Sequence, residues 1–237
     1  MQFFILVLLV CLFTFLYCVF VLSNDDFIFL RRDVTMEKLF NIVFLASFVS
    51  LFGARLFYGF SAVKIFANPL KFLLIPYFPG LSLLGGVVGI GAYLLFLLRR
   101  RDNLLPIARI SDFFSLAFLI SLPIGFVGFL LFSEKSISFI KPAAQALAYF
   151  VLFITFITLF LPRLLNGKFK EGTITFLFLI SFSIVSLVSN AFFKIHILEY
   201  FKNFENIILI LIFGTSLIML IRREGLSSKF KQFKKGK

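Results

Sequence analysis

Residues 53–91 read GARLFYGFSAVKIFANPLKFLLIPYFPGLSLLGGVVGIG. Arg55 sits inside an apolar run, Asn68-Pro69 makes a corner, and Pro79-Gly80 makes a break. Gly85, Gly86, Gly89 and Gly91 then crowd the start of the next apolar run. Broken backbone at membrane depth is tolerated only where protein buries it or where it lines a cavity, and a charge at that depth needs a partner or water. The stretch therefore predicts a cleft between two membrane-spanning helices.

The remainder of the chain supplies the membrane. Its 237 residues are 61% hydrophobic and only 15% charged, with mean hydropathy +1.07. A soluble domain would carry about 25% charged residues. The expected fold class is an all-α polytopic membrane protein, a single integral membrane domain over residues 1–237 with no room for a separate soluble domain.

Seven apolar runs are read as transmembrane helices: residues 3–22, 39–60, 81–98, 110–132, 143–161, 173–193 and 207–221. Most are near the length of about 20 residues that a bilayer demands, and the last is short. The first lacks the basic flank and small-residue cleavage site of a secretory signal, and LLVC ending at Cys11 resembles a lipobox only superficially. Residues 61–79 are interrupted by Lys64, Asn68, Pro69, Lys71 and Pro76. They read as a broken interfacial or re-entrant segment between helices two and three. Pro123 and Gly125 predict a kink in helix four.

The net charge of +13 lies between the apolar runs, so it speaks for membrane orientation and not for nucleic acid. The connectors after helices one, three and five, with the tail at 222–237, hold seventeen basic residues, and the opposite connectors hold six. The positive-inside rule then expects the N-terminus outside and a basic cytoplasmic tail. That tail would be drawn to anionic headgroups at about 1 kcal/mol per basic residue. Cys11 and Cys18 share a helix face at i and i+7, too far apart to bridge. No zinc spacing exists, so neither a metal nor a cofactor is expected.

GARLFY at 53–58, NPL at 68–70 and GLSLLGGVVG at 80–89 resemble the prolipoprotein diacylglyceryl transferase family. Ser111-Asp112, Lys141-Pro142 with Gln145, and Glu171-Gly172 match further motifs in order and spacing, so the resemblance runs from about residue 33 to the end. It implies a seven-helix bacterial inner-membrane protein of lipoprotein biosynthesis. Such a protein moves diacylglyceryl from phosphatidylglycerol to the lipobox cysteine of prolipoproteins, so its partners would be that phospholipid and prolipoprotein signal peptides.

The departures fall on the chemistry that the resemblance implies. The family's Ser-x-His-Gly-Gly aligns with Ser82 to Gly86, putting Leu84 in place of the histidine. Its Ile-Gly-Arg-x-Gly-Asn aligns with Ile124 to Phe129, so Phe126 and Phe129 replace arginine and asparagine. Its Arg-Phe-x-x-Glu aligns with Ser186 to Asn190, and both charges are gone. Displacing glycerol phosphate with a thiol needs a base, because an unperturbed thiol has a pKa of about 8.5. It also needs donors where charge develops on the phosphate, and losing one such donor costs roughly 10²–10³ in rate.

No catalytic residue is assigned. The lipid- or phosphate-binding candidates are Arg55, Tyr58, Asn68, Gly85 and Gly86. Arg55 reads either as a phosphate ligand or as a cation snorkelling to the interface, and Tyr58 either as a headgroup donor or as an interfacial tyrosine. Asn68 belongs to the shape of the cleft. Gly85 and Gly86 open a helix whose N–H groups favour phosphate, and close packing alone also accounts for glycines there. Arg109 and Asp112, at i and i+3, are expected to pair with each other. His196, Glu134 and Glu199 read as solvated loop residues. Two functional readings stand: a diverged transferase, or a non-catalytic lipid- or lipoprotein-binding membrane protein (a pseudoenzyme). A transporter lacks the expected inverted repeat.

Overall fold

The computed structural model describes residues 2–24, 26–32, 34–61, 80–99, 105–132, 140–192 and 203–225. Most of the interfacial segment (62–79, with Asn68), His196, Glu134, Glu199 and the tail beyond Gly225 lie outside them. The described residues form helices and no strand. These are α1 (Gln2–Asn24), α2 (Phe27–Arg31), α3 (Met36–Ser61), α4 (Leu83–Arg99), α5 (Ile107–Phe132), α6 (Ile140–Leu165), α7 (Thr173–Phe192) and α8 (Phe204–Glu224). Six are long and apolar enough to span a membrane, and α4 is a shorter apolar helix. Together they account for the seven expected runs. The five-residue α2, inside the polar connector, is an addition.

Contacts fix an up-and-down order. Cys11 and Ser121 meet across α1 and α5, while Asp26 meets Arg109 at the end of the same pair, so the two helices are antiparallel. Asn190 with Asn206 and Thr173 with Glu224 set α7 antiparallel to α8. One end of the bundle therefore carries Arg55 and the other Arg109. Helix α5 lies at the centre and runs unbroken through Pro123. Phe113, Phe114 and Ala117 pack on Phe15, Val19 and Val43, and Leu116 and Leu119 pack on Tyr149, Phe178 and Phe182.

Helix α6 contains a π-helical turn at Phe156–Phe160, just before Pro162. Proline cannot donate to the carbonyl one turn back and its ring crowds that carbonyl. A π turn is one way to absorb the misfit without ending the helix.

The α3–α4 crossing depends on bare backbone. A Cβ on Gly85 would lie 2.5 Å from the Gly53 carbonyl oxygen, and one on Gly89 would lie 2.7 Å from that of Val49. In a bilayer, helices associate by packing and hydrogen bonding without a hydrophobic drive, so small residues that let backbones approach matter more. Gly85→Ala is expected to lower stability by about 1–3 kcal/mol, the usual range for overpacking. Gly91→Ala, where nothing lies within 4 Å, should change it little. Thermal unfolding in one detergent compares the two.

At the Arg109 end, the expected pairing is replaced by two longer-range ones. Arg109 Nε and Nη2 both donate to Asp26 Oδ2, at 2.9 and 2.6 Å. Asp112 instead accepts from the Gly172 and Thr175 amides at the start of α7. The i, i+3 spacing offered Arg109 a neighbour on its own helix. The fold gives it a buried carboxylate from the connector after α1, which leaves Asp112 to cap α7.

Candidate functional site

Helix α4 is too short to cross alone. Its 17 residues cover about 25 Å at 1.5 Å each, against a hydrocarbon core of about 30 Å. Gly80 to Ser82 precede it as non-helical backbone, whose polar groups need partners at that depth. The Ser82 amide donates to the Ala54 carbonyl at 3.0 Å. Arg55 Nη1 donates to the Gly80 carbonyl at 2.8 Å. Ser82 Oγ accepts from the Gly85 amide at 3.3 Å, the N-cap geometry that satisfies an orphan donor of the first turn.

Arg55 is 1% exposed, among the largest fully buried side chains. Its guanidinium lies inside the fold and does not reach along the surface to the interface. The carbon at its centre is 5.9 Å from the centre of the Tyr58 ring, within cation–π range. That ring also covers Gly80, whose φ of +151° and contact with Tyr58 both exclude a side chain. Arg55, Tyr58 and Gly80 thus form one unit, tied to α4 through Ser82. Gly85 and Gly86 are buried against α3. Their amides donate to Ser82 Oγ and to the Ser82 carbonyl, so in this structure they shape the crossing.

The first turn of α8 extends the polar groups around the bundle end. Ser82 Oγ lies 3.4 Å from Glu205 Oε1 as a donor. The next residue, Asn206, is fully buried and accepts from Asn190 Nδ2 at 2.8 Å. Lys141 Nζ donates to Asn190 Oδ1 at 3.0 Å. The arc therefore runs from Arg55 on α3 through Ser82 and Glu205 to Asn206, Asn190 and Lys141, using four helices and the segment before α4. Glu205 and Asn206 were not singled out in the sequence. Their signal is a polar pair opening an apolar run behind the N-cap Asn203, which accepts from the Glu205 amide.

Aromatic and apolar groups fill the positions where the resemblance expects reactive ones. Phe126 stacks on Tyr149 with centroids 5.8 Å apart and planes 6° apart, and Tyr149 stacks on Phe182 at 6.2 Å. Ser186 is buried, and its hydroxyl lies 3.2 Å from that of Tyr149. Leu84 is buried in the same apolar cluster, while Phe129 is exposed on the outside of the bundle. Among the described residues, no group of three His, Cys, Asp or Glu side chains could hold a metal ion. A separate apolar groove of about 70 Å³ lies between α4, α5 and α7, lined by Val87, Ile90, Leu94, Phe114 and Phe178. It shares no residue with the polar arc.

Comparison with known families matches residues 3–136 to the model described as prolipoprotein diacylglyceryl transferase, more than half of the chain. The match includes α1 and ends after α5, so Lys141, Glu171-Gly172 and Ser186 to Asn190 fall beyond it. No curated protein and no solved structure matches the chain.

Proposed function

Because the chain belongs to the prolipoprotein diacylglyceryl transferase family, we propose that it keeps the family's lipid-binding cleft and has lost most of its transfer chemistry. The observation that carries this reading is the contrast within one bundle end. Arg55 is buried and positioned by Gly80 and Tyr58, whereas Phe126, at the position where the resemblance expects an arginine, is part of a Phe126–Tyr149–Phe182 stack. A buried guanidinium is suited to grip phosphate oxygens, and an aromatic stack offers no donor to charge developing on a leaving phosphate.

In this reading the lipid is a phospholipid gripped by its phosphate, with phosphatidylglycerol, the family's donor, as the first to test. Prolipoprotein signal peptides are the second partner. The protein sits in the bacterial inner membrane with the Arg55 end outside and the Arg109 end in the cytoplasm. Arg99, Arg163, Lys170, Arg222 and Arg223 gather at the latter end, in keeping with the positive-inside rule.

Two measurements test the function. Expression in cells depleted of the authentic transferase is expected to leave lipoprotein modification unrestored, and robust rescue would overturn the loss of chemistry. Purified protein is expected to retain phosphatidylglycerol without releasing glycerol phosphate, and Arg55→Ala should reduce that retention about tenfold, the scale of one charge-assisted contact. Orientation has its own check. A fluorescent protein fused to the C-terminus should fluoresce and a phosphatase fused there should be inactive, the reverse pattern placing the tail outside.

A further inference from the structure

We propose that Glu205 makes the cleft prefer a lipid headgroup carrying a primary ammonium beside its phosphate, the ethanolamine class. The inference rests on the reading of Arg55 as the phosphate ligand and names the lipid class that this site takes. Its starting point is a carboxylate short of countercharge. Glu205 is partly buried in the first turn of α8. Among the described residues its carboxylate accepts one hydrogen bond, from the neutral Ser82 hydroxyl, and pairs with no cation. The helix N-terminus contributes roughly half a positive charge, which leaves part of the carboxylate charge unbalanced.

The surroundings make that imbalance count. Phe204 packs on Phe57 and Phe60 with ring centroids 6.2 Å apart in both pairs. Such walls lower the local dielectric and strengthen any ionic contact made beside them. Glu205 also stands near the cation of the site. Ser82, which donates to Glu205, has its amide on the carbonyl of Ala54, the residue before Arg55. Gly80, whose carbonyl Arg55 holds, is two residues before Ser82. The segment Gly80 to Ser82 thus touches a guanidinium at Gly80 and a carboxylate at Ser82.

A headgroup with both a phosphate and an ammonium, joined by a two-carbon link, matches that pair of charges. A glycerol headgroup gives Arg55 its phosphate but offers Glu205 only hydroxyls, and its net negative charge is repelled by the carboxylate. Arg55 accordingly sets whether a phospholipid binds, and Glu205 sets which one.

Native mass spectrometry of the full-length protein, released from detergent holding equal amounts of dioleoyl phosphatidylethanolamine, phosphatidylcholine and phosphatidylglycerol, reads this directly. The wild type should retain the ethanolamine lipid about fivefold over the glycerol lipid, the upper end expected for one partly exposed ion pair. The quaternary choline lipid, which has no N–H to donate, should fall between. Glu205→Gln, similar in shape, should bring the ethanolamine-to-glycerol ratio to about one or below, since the charge preference is gone. Arg55→Ala should lower retention of both lipids about tenfold, and Arg55→Lys should keep more of the binding than Arg55→Ala. A wild type without preference, or an unchanged ratio in Glu205→Gln, overturns the inference and leaves the phosphate reading standing. Undiminished retention of both lipids in Arg55→Ala overturns the phosphate reading instead.

Discussion

Asp26→Ala is expected to cost about 3–5 kcal/mol of stability, the range for removing one partner of a buried ion pair. Asp26 and Arg109 are 1% and 4% exposed, and two nitrogens of the guanidinium share one carboxylate oxygen. Asp26 Oδ1 also accepts from the Ile28 amide at 2.9 Å, so the carboxylate holds α2 in place as well as the cation. Without it, Arg109 keeps a long contact to the Leu164 carbonyl, at 3.5 Å, and the face of Phe113. Neither carries a negative charge, and Asp112, whose charge also reaches Arg109, is already held by the α7 amides. The pair itself is not the source of the loss, because well-packed apolar replacements of buried pairs are often neutral. Asp26→Leu combined with Arg109→Met should therefore recover most of the stability that Asp26→Ala removes. Unfolding temperatures of Asp26→Leu, Arg109→Met and the double variant close the cycle. A double variant as unstable as the worse single one would show that α2 depends on this carboxylate for more than charge.

The parts legible in the sequence are those that one helix decides by itself. Apolar length gave seven runs, and the run expected from 173 starts where the observed Thr173–Phe192 does. Hydropathy windows stop at the first charge, so the last run was expected at 207–221, whereas α8 extends over Phe204–Glu224. Its cap Asn203 and its terminal Arg222 and Arg223 suit the polar ends of a spanning helix. Arg55 and the glycines were also legible, because a charge and close-packing residues are conspicuous in an apolar run. The pairings were not. Arg109 with Asp26 and Glu205 with Ser82 join residues 83 and 123 positions apart. Spacing rules rank only neighbours within one helix. Neither Asp26, which lies inside the packed bundle end, nor Glu205, which is partly buried, stands out in the sequence by its spacing.

The second large effect is expected at Asp112, which caps a helix to which it does not belong. The first amides of a helix have no intrahelical acceptor, and α7 opens with Gly172 in a left-handed turn at φ +85°. Asp112, on α5 and fully buried, takes up those amides. Its Oδ2 accepts from Gly172 N at 2.6 Å, and its Oδ1 from Thr175 N and Thr175 Oγ1 at 2.9 Å each. Hydrogen bonds to a charged group contribute about 1.5–3 kcal/mol, and an orphaned buried donor costs about 1–3 kcal/mol. Because Asp112→Ala strands two amides, it should destabilise the protein by about 3 kcal/mol or more. Asp112→Asn keeps one acceptor oxygen and should cost roughly half as much. Hydrogen exchange separates this from the Asp26 effect. Protection should fall first around residues 172–178 in Asp112→Ala, and around residues 26–34 in Asp26→Ala. Arg55 and the Gly80 carbonyl belong to α3 and to the segment before α4, away from the α7 start. Phospholipid retention by the folded fraction should therefore survive Asp112→Ala, and its loss there would mean that the cleft depends on α7 through Asn190 and Asn206.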